Sequence, residues 1–284
     1  VTIFGSARSR PGSKIYNDVK RIARSLAELE CDIISGGGPG LMQAANGPAD
    51  QPVDPVTWIR GNLNSTKGHF VEGMSIPYRL EVTDLDPDQT YCITIGWDTK
   101  ANGAHAIDFL TSYDRSEEHD LFGHPAEEID VLAGSGLEGQ ELEPEWLPLP
   151  VPAPSNSPMA GQPAAAFNAL PETDRELAVF NGVIISYGYV NEDPLDGTNA
   201  SSSLEICFRL ANDATVNTVL IAWGGHIATQ ETWGEGNTAS TGEGNPYRAY
   251  VEDCGAINGC GDRTLTVQAA AVAEGGDCSI SGPS

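Results

Sequence analysis

The sequence predicts a mainly β protein. Two β-rich segments, 57–115 and 178–272, should build one β-sandwich across a long Pro-rich connection, with a short β-α-β-α fragment at the N-terminus. Three observations predict this. Thr218–Ala228 is the longest apolar run in a chain that is otherwise polar and acidic. Both of its alternate faces are apolar: Val219, Ile221 and Trp223 on one, Leu220 and Ala222 on the other. A strand buried on one face alternates with polar residues, so a strand apolar on both faces is expected at the centre of its sheet. Before Gly224-Gly225 the run is far shorter than the ~20 residues of a membrane helix. Second, apolar residues recur at every other position beyond residue 57, the period of a half-buried strand. Third, the 32 glycines and 19 prolines supply the many turns that an all-β chain needs.

In chain order, residues 1–46 suggest a truncated Rossmann-like head. Val1–Gly5 is a short apolar strand. Ser13 caps a helix whose apolar positions are Ile15, Val19, Ile22, Ala23 and Leu26. Cys31–Ser35 is a second strand, and Gly36–Gly40 turns into a helix beginning Leu41-Met-Gln-Ala-Ala45. Residues 47–56, with three prolines and two aspartates, are expected to be a linker. Ile76, Tyr78, Leu80 and Val82 then alternate with Pro77, Arg79, Glu81 and Thr83. Tyr91, Ile93, Ile95 and Trp97 form the next strand, and His105–Tyr113 another. Residues 116–177 are acidic, Pro-rich and weakly periodic, which predicts a polyproline-like crossover rather than a packed element. Further strands are expected near 182–190, 204–211, 217–228, 247–253 and 263–270. Four strands alone make a thin core, so the two segments should pack together. The opening at Val1, inside a strand, suggests a cropped or processed chain.

The net charge is −25. Residues 1–50 carry six basic and five acidic side chains, so nearly the whole deficit falls on the remainder. Phosphate contacts need Lys and Arg, which argues against nucleic acid as a partner. The same charge argues against an anionic membrane surface, and no apolar segment suits membrane insertion. Solubility explains the acidity, and calcium binding by Asp-rich loops is the sharper alternative.

Gly36, Gly37, Gly38 and Gly40 stand between a strand and a helix, where backbone amides can approach a phosphate. With the opening Val-Thr-Ile-Phe-Gly-Ser-Ala-Arg8, the stretch Ser35–Ala45 resembles the start of the Lonely Guy family, the lysine-decarboxylase-like nucleotide phosphoribohydrolases. The resemblance stops near Asn46. The family's later Pro-Gly-Gly-x-Gly-Thr-x-x-Glu motif, which supplies its catalytic Glu, has no counterpart here. The expectation is a vestigial phosphate loop without catalysis. Residues ~53–272 resemble a β-rich module of large secreted bacterial surface proteins that often precedes Ig-like or PKD-like repeats. Ala222-Trp-Gly-Gly-His-Ile-Ala228, His105–Asp114 and Phe122-Gly-His-Pro125 carry that likeness. It implies export, a β-rich fold and no established catalytic residues. Residues 273–284 look like the start of a further repeat, so the natural chain would continue as a multidomain protein.

Five histidines occur, His69, His105, His119, His124 and His226, without the His-x-x-x-His spacing of a helical zinc site. His105 and His226 are expected to make buried hydrogen bonds at strand ends. Asp193, Asp196 and Asn199 could supply oxygens to calcium, although their loop lacks the regular Asp-x-Asp-x-Asp-Gly pattern and also suits an ordinary Asx turn. Cys254 and Cys260 flank a short flexible loop and are expected to pair. Cys92 and Cys207 lie on the polar faces of their strands, so a bridge between them requires neighbouring strands of one sheet. Cys31 is expected to be a free buried thiol, and Cys278 to be unpaired. The resulting expectation is an extracellular structural or adhesive module, not an enzyme, with cell-surface proteins or glycans as partners. The alternatives are a phosphoribohydrolase fragment fused to a passenger β-domain, and a calcium- or carbohydrate-binding module.

Overall fold

The computed structural model describes residues 2–3, 14, 34–35, 40–115, 119, 121–240, 246–255, 257 and 264–274. The first strands are β1 Thr2–Ile3, β2 Ile34–Ser35, β3 Leu41–Ala45, β4 Thr57–Ile59, β5 Asn62–Leu63, β6 Phe70–Val71, β7 Ser75–Val82, β8 Tyr91–Ala101 and β9 Ala104–His105. They continue as β10 Ile107–Thr111, β11 Glu145–Pro148, β12 Glu176–Phe180, β13 Gly182–Glu192, β14 Ala200–Leu210, β15 Val219–Ile227, β16 Tyr247–Asp253, β17 Thr264–Val267 and β18 Val272–Ala273. Short helices cover Ala164–Ala169 and Gln230–Trp233. Among the described residues no helix is long and apolar enough to cross a membrane.

Two seven-stranded sheets pack face to face. One runs β11-β12-β15-β7-β3-β4, with β10 also pairing with β15. The other runs β13-β14-β8-β16-β17-β5, with β9 beside β8. The first sheet sends Tyr78, Leu80, Val219, Ile221 and Trp223 into the shared core. The second sends Ile93, Ile95, Trp97, Leu204, Ile206 and Phe208. The two β-rich segments therefore share both sheets. β7 pairs with β15 from Val82↔Val219 to Ser75↔His226, and β8 lies between β14 and β16.

β15 is central, as its two apolar faces predict. Val219, Ile221 and Trp223 enter the inter-sheet core, while Leu220 and Ala222 pack with Val131, Leu137, Ala178 and Phe180 on the outer face. That outer cluster corrects the expectation for 116–177. The connection is not an unpacked crossover: Val131 and Leu137 cover the outer face of the first sheet, Glu145–Pro148 adds the edge strand β11 to that sheet, and Phe167 enters the inter-sheet core. Arg79 and Glu81, on the polar side of β7, are buried beneath it. The Arg79 Nη1 donates to the carbonyls of Val131 (2.6 Å) and Ala133 (2.8 Å), and Glu81 Oε1 accepts from Gly136 N at 2.6 Å. Two long polar side chains thus satisfy the backbone of an irregular segment that has no ladder of its own.

A second correction concerns the N-terminal boundary. Leu41–Ala45 is a strand, not a helix. Its composition suits a helix, but its backbone pairs with β7 on one side and β4 on the other, and tertiary pairing outweighs local propensity. The sandwich sheet thus begins at residue 41 rather than 57. Residues 46–56 connect the β3–β4 hairpin instead of linking two domains, closed by Val53 N donating to Asn46 O at 2.8 Å. The glycine turn consequently opens no helix. Gly40 is buried immediately before β3, and Gly36, Gly37 and Gly38 lie outside the described residues. β1 and β2 form a parallel pair, and the helix expected between them lies outside the described residues apart from Lys14.

Cys92 and Cys207 face each other in register across β8 and β14 and form a disulfide, with Cα atoms 4.0 Å apart. Cys254 is disulfide-bonded as well. Its expected partner Cys260 lies outside the described residues, as do Cys31 and Cys278.

Candidate metal centre

Three imidazoles and a carboxylate converge where the connection meets the β3–β4 hairpin: His69, His119, His124 and Glu127, with one donor atom from each lying within 4.8 Å of the others. His69 precedes β6 and is locked by the residues that follow β3. The Asn46 side chain brackets its backbone, accepting from His69 N and donating to His69 O, both at 3.0 Å. The Gly47 carbonyl lies 2.8 Å from His69 Nδ1. Gly47 holds φ +77°, and a Cβ there would come 2.7 Å from Gln51 O, so the position needs glycine. His119 and His124 sit at the two ends of a tight turn. Phe122 N and Gly123 N both donate to His119 O, at 2.8 and 3.1 Å, and Gly123 adopts φ +77°. Glu128 N donates to Asp54 Oδ1 at 2.8 Å, and Val56 N to Glu128 O at 2.9 Å. These bonds fasten the Glu127 backbone to the hairpin.

The three rings stand edge to face, 5.0–5.3 Å apart. Glu127 Oε1 lies 3.3 Å from His69 Nε2 and 3.4 Å from His124 Nδ1, and Oε2 lies 3.3 Å from His119 Nδ1. The side chains of His69, His119 and Glu127 are 4%, 4% and 3% exposed, so all three lie below the surface.

Protonation follows from the partners. A carbonyl oxygen only accepts, so His69 Nδ1, facing Gly47 O, and His124 Nδ1, 2.9 Å from Pro125 O, carry the hydrogens, and in the neutral rings the Nε2 atoms hold the lone pairs, that of His69 toward the carboxylate. Among the described residues His69 Nε2, His119 Nδ1 and Glu127 Oε1 have no hydrogen-bond partner. Burial holds the His119 pKa below the usual histidine range against the pull of Glu127, and the neighbouring His69 and His124 push it the same way as burial. Buried lone pairs facing one another repel unless a proton or a cation lies between them. The histidine–carbonyl bond that sets the His69 tautomer is the outer support usual for a metal-bound imidazole. Three nitrogens and one carboxylate suit zinc or another imidazole-seeking ion rather than calcium, which takes oxygen ligands.

Sequence reasoning missed this centre. His69 is far from the others along the chain, and the search for His-x-x-x-His spacing cannot detect loop ligands. The local signal was His119-x4-His124-x2-Glu127, three donors within nine residues.

The residues singled out beforehand have other surroundings. Asp193 Oδ2 accepts from Ser201 N (3.0 Å) and Ser201 Oγ (2.8 Å), while its Oδ1 accepts from Asn191 Nδ2 at 3.2 Å. These bonds hold the Asp193 pKa below its ordinary value despite partial burial. Asn199 Oδ1 accepts from Asn102 N at 2.9 Å. The loop's own donors thus use oxygens of Asp193 and Asn199. Asp196 contributes by its charge near Lys100. His105 and His226 are buried against aromatic rings, and His226 also faces the Asp108 carboxylate. His105 stacks on Trp233 with centroids 3.7 Å apart, and His226 stacks on Phe109 at 4.3 Å. His226 Nδ1 lies 3.6 Å from Asp108 Oδ2, and Asp108 Oδ1 accepts from Trp233 Nε1 at 2.8 Å.

Comparisons with protein-family models, curated proteins and solved structures each return no match.

Proposed function

We propose that this chain is an exported β-sandwich module, structural or adhesive at a cell surface, whose acidic connection is fastened by a zinc-type ion at His69, His119, His124 and Glu127. One observation carries the metal reading: three imidazoles and a carboxylate each place a ligand atom within 4.8 Å of the others, and His69 Nε2, His119 Nδ1 and Glu127 Oε1 are buried there without a hydrogen-bond partner among the described residues. The ion would join the β3–β4 hairpin, the chain entering β6 and the start of the connection. Metal binding at such a junction contributes directly to folding. The Cys92–Cys207 disulfide and the disulfide-bonded Cys254 support an oxidising compartment, because thiols stay reduced in the cytosol. No catalytic role is assigned to residues 1–46, since the chain lacks the motif that supplies the catalytic Glu of the family they resemble.

The test is elemental analysis of the untagged protein, followed by chelation. Stoichiometric zinc is expected. EDTA should lower the melting temperature and expose residues 116–130 to protease, and added zinc should reverse both effects. His69→Ala should abolish zinc binding. A protein that binds no zinc, nickel or cobalt and melts identically with and without EDTA would falsify the proposal.

A further inference from the structure

We infer that the metal centre is open on its Glu127 side and takes an external nitrogen donor of the imidazole class, which replaces Glu127 on the ion. This rests on the metal-binding reading above. A cavity of about 370 Å³ adjoins the centre, within the size range of small-molecule sites. Asn46, His119 and Glu127 line it, whereas His69 and His124 do not. Phe122 packs against all three imidazoles, its ring centroid 4.7, 5.6 and 6.0 Å from those of His69, His119 and His124. The ion would therefore have an aromatic neighbour among its imidazoles and a cavity beside His119 and the carboxylate.

Glu127 is the ligand best placed to give way. Its Oε2 accepts from Asn46 Nδ2 at 3.2 Å, so the carboxylate keeps a hydrogen bond when it leaves the ion. The three imidazoles then hold the metal, which is the ligand count of zinc sites that keep an exchangeable position.

The cavity walls indicate the ligand's chemistry. Val56, Phe70 and Met74 offer apolar surface. Asp54, Asp114, Glu127 and Glu128 supply four carboxylates against the guanidinium of Arg115. That guanidinium is already engaged: its Nη1 donates to Gly73 O at 2.7 Å and to Ser75 Oγ at 3.3 Å, and its Nε lies 3.4 Å from Asp174. An anion would enter against this charge, whereas a neutral nitrogen donor on a small apolar body would not. Imidazole is also a donor that zinc and cobalt accept readily.

The experiment loads the full chain with cobalt(II) and follows its visible absorption during separate titrations with imidazole and acetate. Imidazole should shift the bands saturably, and acetate at the same concentrations should not. Ala126→Phe, which fills the cavity from a residue that only lines it, should leave the cobalt spectrum intact and weaken imidazole binding about tenfold or more. Glu127→Gln should tighten imidazole binding. A cobalt spectrum unmoved by imidazole shows a closed four-ligand site: the inference fails and the metal reading stands. Equal responses to acetate and imidazole overturn the ligand class. Absence of any cobalt absorption overturns both the inference and the reading on which it rests.

Discussion

Gly224 shows how closely single residues are fitted on the central strand. A Cβ there would press on Thr111 Oγ1 and lie 2.6 Å from Ser112 O, because β10 crosses directly beside it. Gly224→Ala is expected to destabilise the fold by about 2–3 kcal/mol, seen as a lower denaturant midpoint. His105 is a second single-residue case. Burial, with Lys100 adding to it, lowers its pKa to about 4, so the folded state binds the proton at lower pH than the unfolded chain does. The stability it contributes is full above the unfolded value near 6.5 and is lost as pH falls from there toward 4. His105→Phe keeps a ring against Trp233 and removes the titration. Measured without metal, the variant should lose less stability than the parent between pH 6.5 and 4. Parallel stability curves would refute this assignment.

At the scale of elements, two fastenings hold what sequence distance separates. The Cys92–Cys207 disulfide joins β8 to β14 across 115 residues. The loop-closure argument gives a stabilisation on the order of 4–5 kcal/mol for so long a loop. Replacing both cysteines by alanine should lower stability by up to that amount while leaving the strand content by circular dichroism unchanged. Arg79 fastens the connection to β7, with its guanidinium 4.5 Å over the Trp58 ring. Burial lowers its pKa to about 10, so it remains charged at neutral pH. Arg79→Met leaves the Val131 and Ala133 carbonyls without their donor and should cost about 2–3 kcal/mol. Faster amide exchange across 130–138 would locate the effect. Exchange unchanged there would show that the apolar contacts of Val131 and Leu137 hold the segment unaided.

At the scale of the whole molecule, local periodicity determined the β class, the strands β7, β8, β10 and β13 to β17, and the central place of β15, but not β11 and β12, which lie in or begin within the stretch read as an unpacked crossover. Those features follow from alternation along one segment, and β15 is apolar on both faces because a core lies on each side of it. The outer faces of Cys92 and Cys207 were legible for the same reason. Tertiary structure decided the rest. Leu41–Ala45 became a strand because β7 and β4 present unpaired edges to it, which no property of those five residues encodes. The connection packs on the first sheet because Arg79 and Glu81, polar residues on an apparently solvent-facing side, reach its backbone. The metal centre also depended on tertiary structure. Coordination depends on where donor atoms meet in space, and His69 meets His119, His124 and Glu127 only after the hairpin, the β5–β6 turn and the connection have folded against one another.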